Sequence, residues 1–401
     1  MNKYAWRTDN WWVSPFNSRE EYRNSWKLPK SIKIHDATLR DGEQTPGVVL
    51  KKEEKVRIAE KLSEAGIHRI EAGMPAVSEE DRKAIAEIIK LNLPSTIFGF
   101  VRAKEEDIIM AKECGVDGVI IEVPIGKPKL DYQFNWSVDR VVESSVFAIK
   151  KAKELGLYTV YFPYDTTRAD EDDITKLLSQ IKENSLPDSV GVVDTMGCAL
   201  PGATQYLIKL IKSIMNIPLE IHTHNDFGLA LANSITAVMS GAEVVHGCVN
   251  GIGERTGNCS TEEVAVALQI LMGIDIGVDI SKLQELSDLV RETTGFEIVK
   301  NKPIVGQEIF TRESGIGADA LFKMPLSMFA LNPEFLNKKA KLVLGKKSGM
   351  MSINVKLQEY KIELDEEQKK KLLLDVKQKG VEKKGNLTED EFLTLVKKYK
   401  Q

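Results

Sequence analysis

The chain holds only four cysteines in 401 residues (Cys114, Cys198, Cys248 and Cys259), too few and too scattered for a disulfide framework. No apolar run approaches the roughly 18 residues that a bilayer-spanning helix needs. The N-terminus runs from Met1-Asn2-Lys3-Tyr4-Ala5-Trp6 to Trp11-Trp12 and then into polar residues, without the apolar core of a secretory signal. Charge of one sign is not in excess: 55 basic against 59 acidic residues leave −4. That excludes a nucleic-acid protein built on a global basic field. Hydrophobic residues at 42% and charged residues at 28% exclude a disordered or collagen-like chain. The expectation is a cytoplasmic protein of roughly two to four domains, with no membrane and no nucleic-acid partner. Histidine is scarce, five in all, and tryptophan is unevenly spread: four of five (Trp6, Trp11, Trp12 and Trp26) fall within the first 26 residues.

From Ile32 onward, short β-rich runs alternate with longer helical patterns. The strand candidates are 32–39, 68–75, 95–102, 118–125, 158–165, 189–196, 219–226 and 243–250, each rich in β-branched or aromatic residues and bounded by turn residues. Between them, 51–66 places Val56, Ala59 and Leu62 at helical spacing and stops at Gly66, a C-cap signal. Residues 78–91 open with Ser78-Glu79-Glu80-Asp81, an N-cap followed by acids that suit the helix dipole. Helices are expected likewise over 104–115, 137–156, 169–184, 200–215, 229–242 and 260–272. Strand followed by helix, repeated, implies a parallel sheet. Eight repeats of this length predict a closed (β/α)8 TIM barrel over 32–275, in preference to an open doubly wound sheet with fewer units.

After about residue 275 the rhythm stops. Residues 281–296 read as a helix, 301–335 as loop-rich, and 365–379 and 388–400 as Lys-rich amphipathic helices. The lysine runs are interleaved with acids and read as solvated faces rather than a polyanion site. Residues 276–401 are thus a mostly helical C-terminal subdomain. Residues 1–31 are a separate Trp-rich arm, packing on the barrel or on a partner subunit in preference to forming an aromatic ligand platform.

In such barrels the active site lies at the C-terminal ends of the strands. The seventh strand ends Ile221-His222-Thr223-His224-Asn225-Asp226. Side chains alternate along a strand, so His222 and His224 point the same way and form a ready pair of metal ligands. A carboxylate after the first strand, Asp41, would complete a two-His, one-carboxylate site with open positions. Arg40 beside it offers a fork for a substrate carboxylate and a positive charge for a developing enolate. Glu71, ending the second strand, is expected to orient Arg40 or a metal-bound water. Gln44, Thr195 and Asn225 are further substrate-binding candidates. The eighth strand runs into Asn250-Gly251-Ile252-Gly253-Glu254-Arg255-Thr256-Gly257-Asn258. Such a Gly-rich turn before a helix can cradle an anion, here through Gly251, Gly253 and Arg255, although tight turns need glycines in any case. Asn258 offers the metal a further oxygen.

Asp36–Gln44 (DATLRDGEQ), 70–76 (IEAGMPA), 222–226 (HTHND) and 250–258 (NGIGERTGN) resemble the acyl-CoA-condensing enzymes typified by homocitrate, isopropylmalate and citramalate synthases. That group lies in the metal-dependent lyase barrel superfamily that also holds hydroxymethylglutaryl-CoA lyase. Residues 332–335 (NPEF) and 345–349 (GKKSG) resemble the segments after the family's barrel. The resemblance implies a divalent metal (Mg2+, Mn2+ or Zn2+) on Asp41, His222, His224 and Asn258, a 2-oxo acid beside Arg40, and an acyl-CoA co-substrate. It also implies a transferase of amino-acid biosynthesis with a pyruvate carboxyltransferase domain. A homodimer is implied too, with the C-terminal subdomain of one subunit covering the other's barrel. The expectation is a chain organised as homocitrate synthases are, without the regulatory domain of isopropylmalate synthases.

Three departures from the family pattern stand out. The family's proton-transfer Glu belongs where this chain has Tyr164-Asp165; its two histidines fall at Arg312 and Gly317, and its Tyr near Met328. Tyr164, Asp165 and Arg312 are therefore the candidate replacements. Arg312 offers, alternatively, a site for an extra carboxylate, phosphonate or sulfonate. The expected activity is metal-dependent condensation of an acyl-CoA, acetyl-CoA first, with a 2-oxo acid. The runner-up is a lyase or aldolase acting through a metal-stabilised enolate. A non-catalytic metal-binding barrel and a facial-triad iron oxygenase rank lower.

Overall fold

The computed structural model describes residues 5–399. The chain divides into two units: Phe16–Ile298, and a second that combines the segment up to Pro15 with the chain from Val299 onward.

The first unit is a closed barrel of eight strands in sequence order, each parallel to its neighbours. They are β1 (Lys33–Asp36), β2 (Arg69–Gly73), β3 (Thr96–Arg102), β4 (Gly118–Pro124), β5 (Tyr158–Tyr164), β6 (Ser189–Asp194), β7 (Leu219–Thr223) and β8 (Val244–Gly247). Each is followed by a helix: α1 (Lys52–Glu64), α2 (Glu79–Lys90), α3 (Glu105–Glu113), α4 (Val138–Glu154), α5 (Glu171–Asn184), α6 (Pro201–Ile214), α7 (Ala230–Met239) and α8 (Thr261–Val266). The predicted TIM barrel is thus the fold. Strands β2, β6, β7 and β8 are buried end to end, because helices cover the outer face and side chains fill the inner one. Local signals set the helix starts: Ser78 Oγ accepts from Asp81 N at 3.0 Å, and Ser137 Oγ from Arg140 N at 3.3 Å. The helix expected over 260–272 is α-helical only to Val266 and continues as a wide π turn, Ala267–Leu271.

The barrel interior has two unlike halves. On β3 to β6, Phe98, Phe100, Ile120, Val160, Phe162 and Val193 form an apolar cluster. On β1, β2, β7 and β8 the inward residues are polar and buried: His35, Arg69, Glu71, Glu220, His222 and His246. These form a linked chain through the core. Glu220 accepts from Arg69 Nη1 at 2.7 Å and Ser189 Oγ at 2.6 Å, and its other oxygen lies 2.7 Å from His246 Nε2. His246 stacks on His35 with ring centroids 4.3 Å apart and planes 12° from parallel. His35 Nε2 lies 3.3 Å from Glu71 Oε2. His35, Glu220 and His246 bring possible ligand atoms within 4.8 Å of one another. Stacked imidazoles, however, hold their in-plane lone pairs parallel instead of convergent, and Glu220 is already saturated by Arg69, Ser189 and His246. We read this trio as a polar core held at Glu220, with His35 Nδ1 and His246 Nδ1 buried and without a hydrogen-bond partner among the described residues.

Trp26 belongs to the barrel unit, edge-on to Tyr22 at 5.2 Å and under the Arg23 guanidinium at 4.6 Å; Arg23 Nη1 donates to Met272 O at 3.0 Å. Trp11 and Trp12 belong to the second unit. Trp12 N donates to Ala330 O at 2.8 Å, and the Trp11 ring lies 5.8 Å from that of Phe335. The arm expected as one piece is therefore shared between the units. The second unit also contains α9 (Met350–Glu359), α10 (Glu366–Lys383) and α11 (Glu389–Lys397), packed around Leu344, Ile353, Leu372, Val376, Phe392 and Val396. The Lys-rich faces are solvated as expected, with Lys369 and Lys370 paired to Glu366 and Glu367 at 2.8 Å. Exposed pairs of this kind add little to stability.

Candidate metal centre and substrate pocket

Two tight turns build the site. After β1, Arg40 N and Gly42 N both donate to Ala37 O at 3.1 Å, which folds Arg40 and Asp41 back over the barrel mouth. After β8, the chain runs antiparallel beside the end of β7: Asn225 N donates to Gly257 O and Cys259 N to Thr223 O, both at 3.0 Å. That pairing sets Asn258 opposite His224. The two turns are tied together by Thr45, whose Oγ1 accepts from Gly253 N at 2.7 Å. Lys55, 1% exposed, braces the first turn from below, 2.6 Å from both Glu43 Oε2 and Asp81 Oδ1.

The ligand atoms converge as the residue types require. His222 Nε2 and His224 Nε2 are 3.3 Å apart, and Asp41 Oδ2 lies 3.3 Å from the first and 3.7 Å from the second. All three residues are buried. Burial pushes the His222 imidazole down, and burial pushes His224 down to about 4. Burial alone would raise Asp41, but the Arg40 guanidinium and the His222 hydrogen bond outweigh it and hold the carboxyl well below its usual range. Neutral imidazoles and an ionised carboxylate are the protonation states a divalent cation needs. Asn258 Nδ2 donates to Asp41 Oδ1 at 3.1 Å, while Asn258 Oδ1 is buried with no partner. The donor set fits a hard or borderline divalent cation with open positions.

Arg40 is fixed on three sides. Its Nε contacts Glu71 Oε1, its Nη1 lies 3.2 Å from Asp41 Oδ2, and its Cζ sits 4.0 Å from the Phe100 ring centroid. Glu71 faces opposing influences. Burial would raise it, yet Arg40 and His35 bring it down to about 2, so the Arg40–Glu71 pair stays ionised at neutral pH. The pocket above holds about 300 Å³ and is lined by Arg40, Asp41, Gln44, Phe100, Glu122, Lys129, Gln133, Phe134, Phe162, Tyr164, Val193, Thr195, Met196, His222, His224 and Glu254.

Among the sequence candidates, Arg40, Asp41, Gln44, Tyr164, Thr195, His222 and His224 line this pocket, and Glu71 and Asn258 abut it through Arg40 and Asp41. The others are elsewhere or otherwise engaged. The Asp165 carboxylate is turned to Arg168, with Oδ2–Nη2 at 2.6 Å, and does not line the pocket. Asn225 Oδ1 accepts from Ala230 N at 3.2 Å at the start of α7. In the Gly-rich turn the amides of Gly251, Gly253, Gly257 and Asn258 already donate within the protein, and Arg255 is paired with Asp226 at 2.9 Å. Arg312 lies in the second unit, where its Nη2 donates to Ile316 O at 3.4 Å.

Glu122 and Lys129 escaped the sequence reading. The signal for Glu122 was present: it is the one charged residue in GVIIEVP, two positions from the inward-facing Ile120.

A family model described as HMGL-like matches residues 31–290, and one described as homocitrate synthase post-HMGL domain-like matches 304–384. The chain belongs to the HMGL-like family. It is 39% identical over 387 residues to a homocitrate synthase of Methanothermobacter thermautotrophicus, covering 96% of this chain and 97% of that one. It is also 41% identical over 349 residues to an (R)-citramalate synthase of Methanocaldococcus jannaschii, covering 87% of this chain and 71% of that one. The HMG-CoA lyase of Bacillus subtilis superposes with a TM-score of 0.61 at 22% identity, over 68% of this chain and 96% of that one; this likeness is one of fold. Among the described residues no helix is long and apolar enough to cross a membrane.

Proposed function

We propose that this protein condenses an acyl-CoA with a 2-oxo acid: the acyl α-carbon gives a proton to a base and bonds the keto carbon, and water then hydrolyses the thioester to release CoA. The observation that carries the reading is the convergence of Asp41, His222 and His224 beside Arg40 at the barrel mouth. It occurs in a chain 39% identical, over nearly its full length, to a homocitrate synthase. A divalent cation bound there would polarise the keto group of the 2-oxo acid. The protein's own groups supply the rest. Arg40, locked by Glu71 and Phe100, presents its free guanidinium edge to the substrate carboxylate. Thr195 and Gln44 border the same space. Burial holds the Tyr164 phenol well above its ordinary range, so at neutral pH it is a hydrogen-bond donor.

The test is a thiol-release assay of acetyl-CoA and longer acyl-CoAs against a panel of 2-oxo acids with Mg2+, Mn2+ or Zn2+. Release that requires both substrates supports condensation. Cleavage of a 2-hydroxy acid into two carbonyl products, without release, would select the lyase chemistry instead. The reading includes a cytoplasmic setting, consistent with four free cysteines. From the family resemblance it also includes a homodimer in which the C-terminal part of one subunit covers the partner's barrel. A monomer by sedimentation would refute the dimer.

A further inference from the structure

The pocket is chemically divided. Its metal-binding side is made by β1, β7 and the turn after β8. Its far side is the apolar half of the barrel, with Phe100, Phe162 and Val193 as floor. Into that apolar floor projects one acid, Glu122 of β4, in register with Phe162 of β5. Three acids line the pocket, and the other two are engaged: Asp41 with Arg40 and the histidines, and Glu254 with Arg255 at 3.0 Å. No hydrogen bond or ion pair joins the Glu122 carboxyl to any described residue. Burial pushes it up to about 7, against the pull of Arg40. Glu122 is partly buried and opens on the pocket, so its carboxyl is placed to accept a hydrogen bond from a ligand there.

Resting on the condensation reading, we propose that Glu122 determines which 2-oxo acid is taken. A 2-oxo acid held by its carboxylate and keto oxygen at Arg40, Asp41, His222 and His224 must direct the rest of its chain away from them. That direction leads across the Phe100–Phe162–Val193 floor to Glu122. The preferred substrate therefore carries a hydrogen-bond donor on that chain (a hydroxyl, amine or amide), and a plain aliphatic 2-oxo acid is rejected. Apolar methylenes find their floor, and the donor finds the carboxyl. A site built to bond such a group discriminates strongly against the analogue that lacks it.

The test uses the Mn2+-loaded protein and an isosteric pair, 4-hydroxy-2-oxobutanoate and 2-oxopentanoate, with binding read by calorimetry. The wild type is expected to bind the hydroxylated acid about ten- to hundredfold tighter. E122Q, which still accepts a hydrogen bond, keeps most of that preference, and E122L abolishes or inverts it. An unchanged ratio in folded, metal-loaded E122L overturns the proposal. So does a wild-type ratio of one or below, which decides the matter even if E122L does not fold. A fall in turnover of E122Q that is equal for every substrate, with the binding ratio intact in E122L, would make Glu122 a proton-transfer group and also overturn it. Thiol release separates the two readings: no release with any pair, beside a retained binding preference, sinks condensation alone. Release without the preference sinks this proposal alone.

Discussion

Gly253→Ala tests the turn that joins the two halves of the metal centre. Gly253 has φ +147°, a conformation left-handed enough that L side chains rarely adopt it. A Cβ there would lie 2.1 Å from Asn258 Nδ2 and 3.1 Å from Asp41 Oδ1. The Asn258 amide cannot yield freely, because it is held by Asp41 Oδ1 at 3.1 Å and by Ile252 O at 3.2 Å. To make room it must swing off Asp41. The loss of a hydrogen bond to a charged acceptor costs about 1.5–3 kcal/mol. Part of that loss falls on the orientation of a metal-binding carboxylate, where displaced supporting contacts typically weaken metal affinity about 10–100-fold. The backbone cost, about 1–3 kcal/mol, falls on folding instead. Gly156→Ala separates the two: φ is +71° there, and a Cβ meets nothing within 4 Å, so it pays only for backbone strain. The measurement is Mn2+ affinity by calorimetry beside urea unfolding of both variants. Gly253→Ala should lose metal affinity and Gly156→Ala should not. Equal metal affinity in Gly253→Ala and wild type would refute the reasoning.

Three further outcomes are expected. His222→Ala and Asp41→Ala should each abolish bound metal by elemental analysis while far-UV circular dichroism stays native; unchanged stoichiometry would remove the site assignment. Glu71→Gln should lower kcat/KM about 10–100-fold by freeing the Arg40 guanidinium from its ionised anchor; wild-type kinetics would show that Phe100 and Asp41 suffice. Asp36 is fully buried, and burial raises it from 3.8 to about 6 despite hydrogen bonds from Thr261 and Thr38. Because the folded pKa is raised, the contribution of Asp36 is fully present below pH 3.8 and is lost as pH climbs to about 6. Asp36→Asn does not ionise, so its stability relative to wild type should improve by about 2 kcal/mol between pH 4 and pH 7. A pH-independent difference by urea unfolding would contradict this.

The barrel and its metal ligands were legible because they rest on short-range rules. Eight apolar runs with turn residues at their ends leave few topologies, and two histidines two positions apart on a strand share a face by geometry alone. For Glu71 the sequence left two roles open, and the contact with Arg40 Nε is the one that forms. Asp165 lies one residue past β5, where the chain turns left-handed at φ +64°, and no periodic signal in the sequence announces that turn. Tyr164 lines the pocket, while the turn carries the Asp165 carboxylate to Arg168. Glu122 was overlooked because one acid in a run of isoleucines and valines is easily taken for an outward residue. The helix Met350–Glu359 was missed because Ser352, Asn354 and Gln358 dilute its apolar stripe. The division of the N-terminal arm had no local signal at all, since its partners lie far along the chain.

That division bears on how the molecule comes into being. Asn332 Nδ2 bonds Asp9 O across a sequence separation of 323, and the Trp11–Leu331 bridge closes beside it. That N-terminal segment thus waits for partners 323 positions later in the chain, while the barrel between them can close as its strands emerge. Contacts of such separation are slow to form. Until then three tryptophans, Trp6, Trp11 and Trp12, trail from a finished barrel. Bulk fused ahead of Trp11 would therefore disturb the late-made unit and leave the early-made one alone.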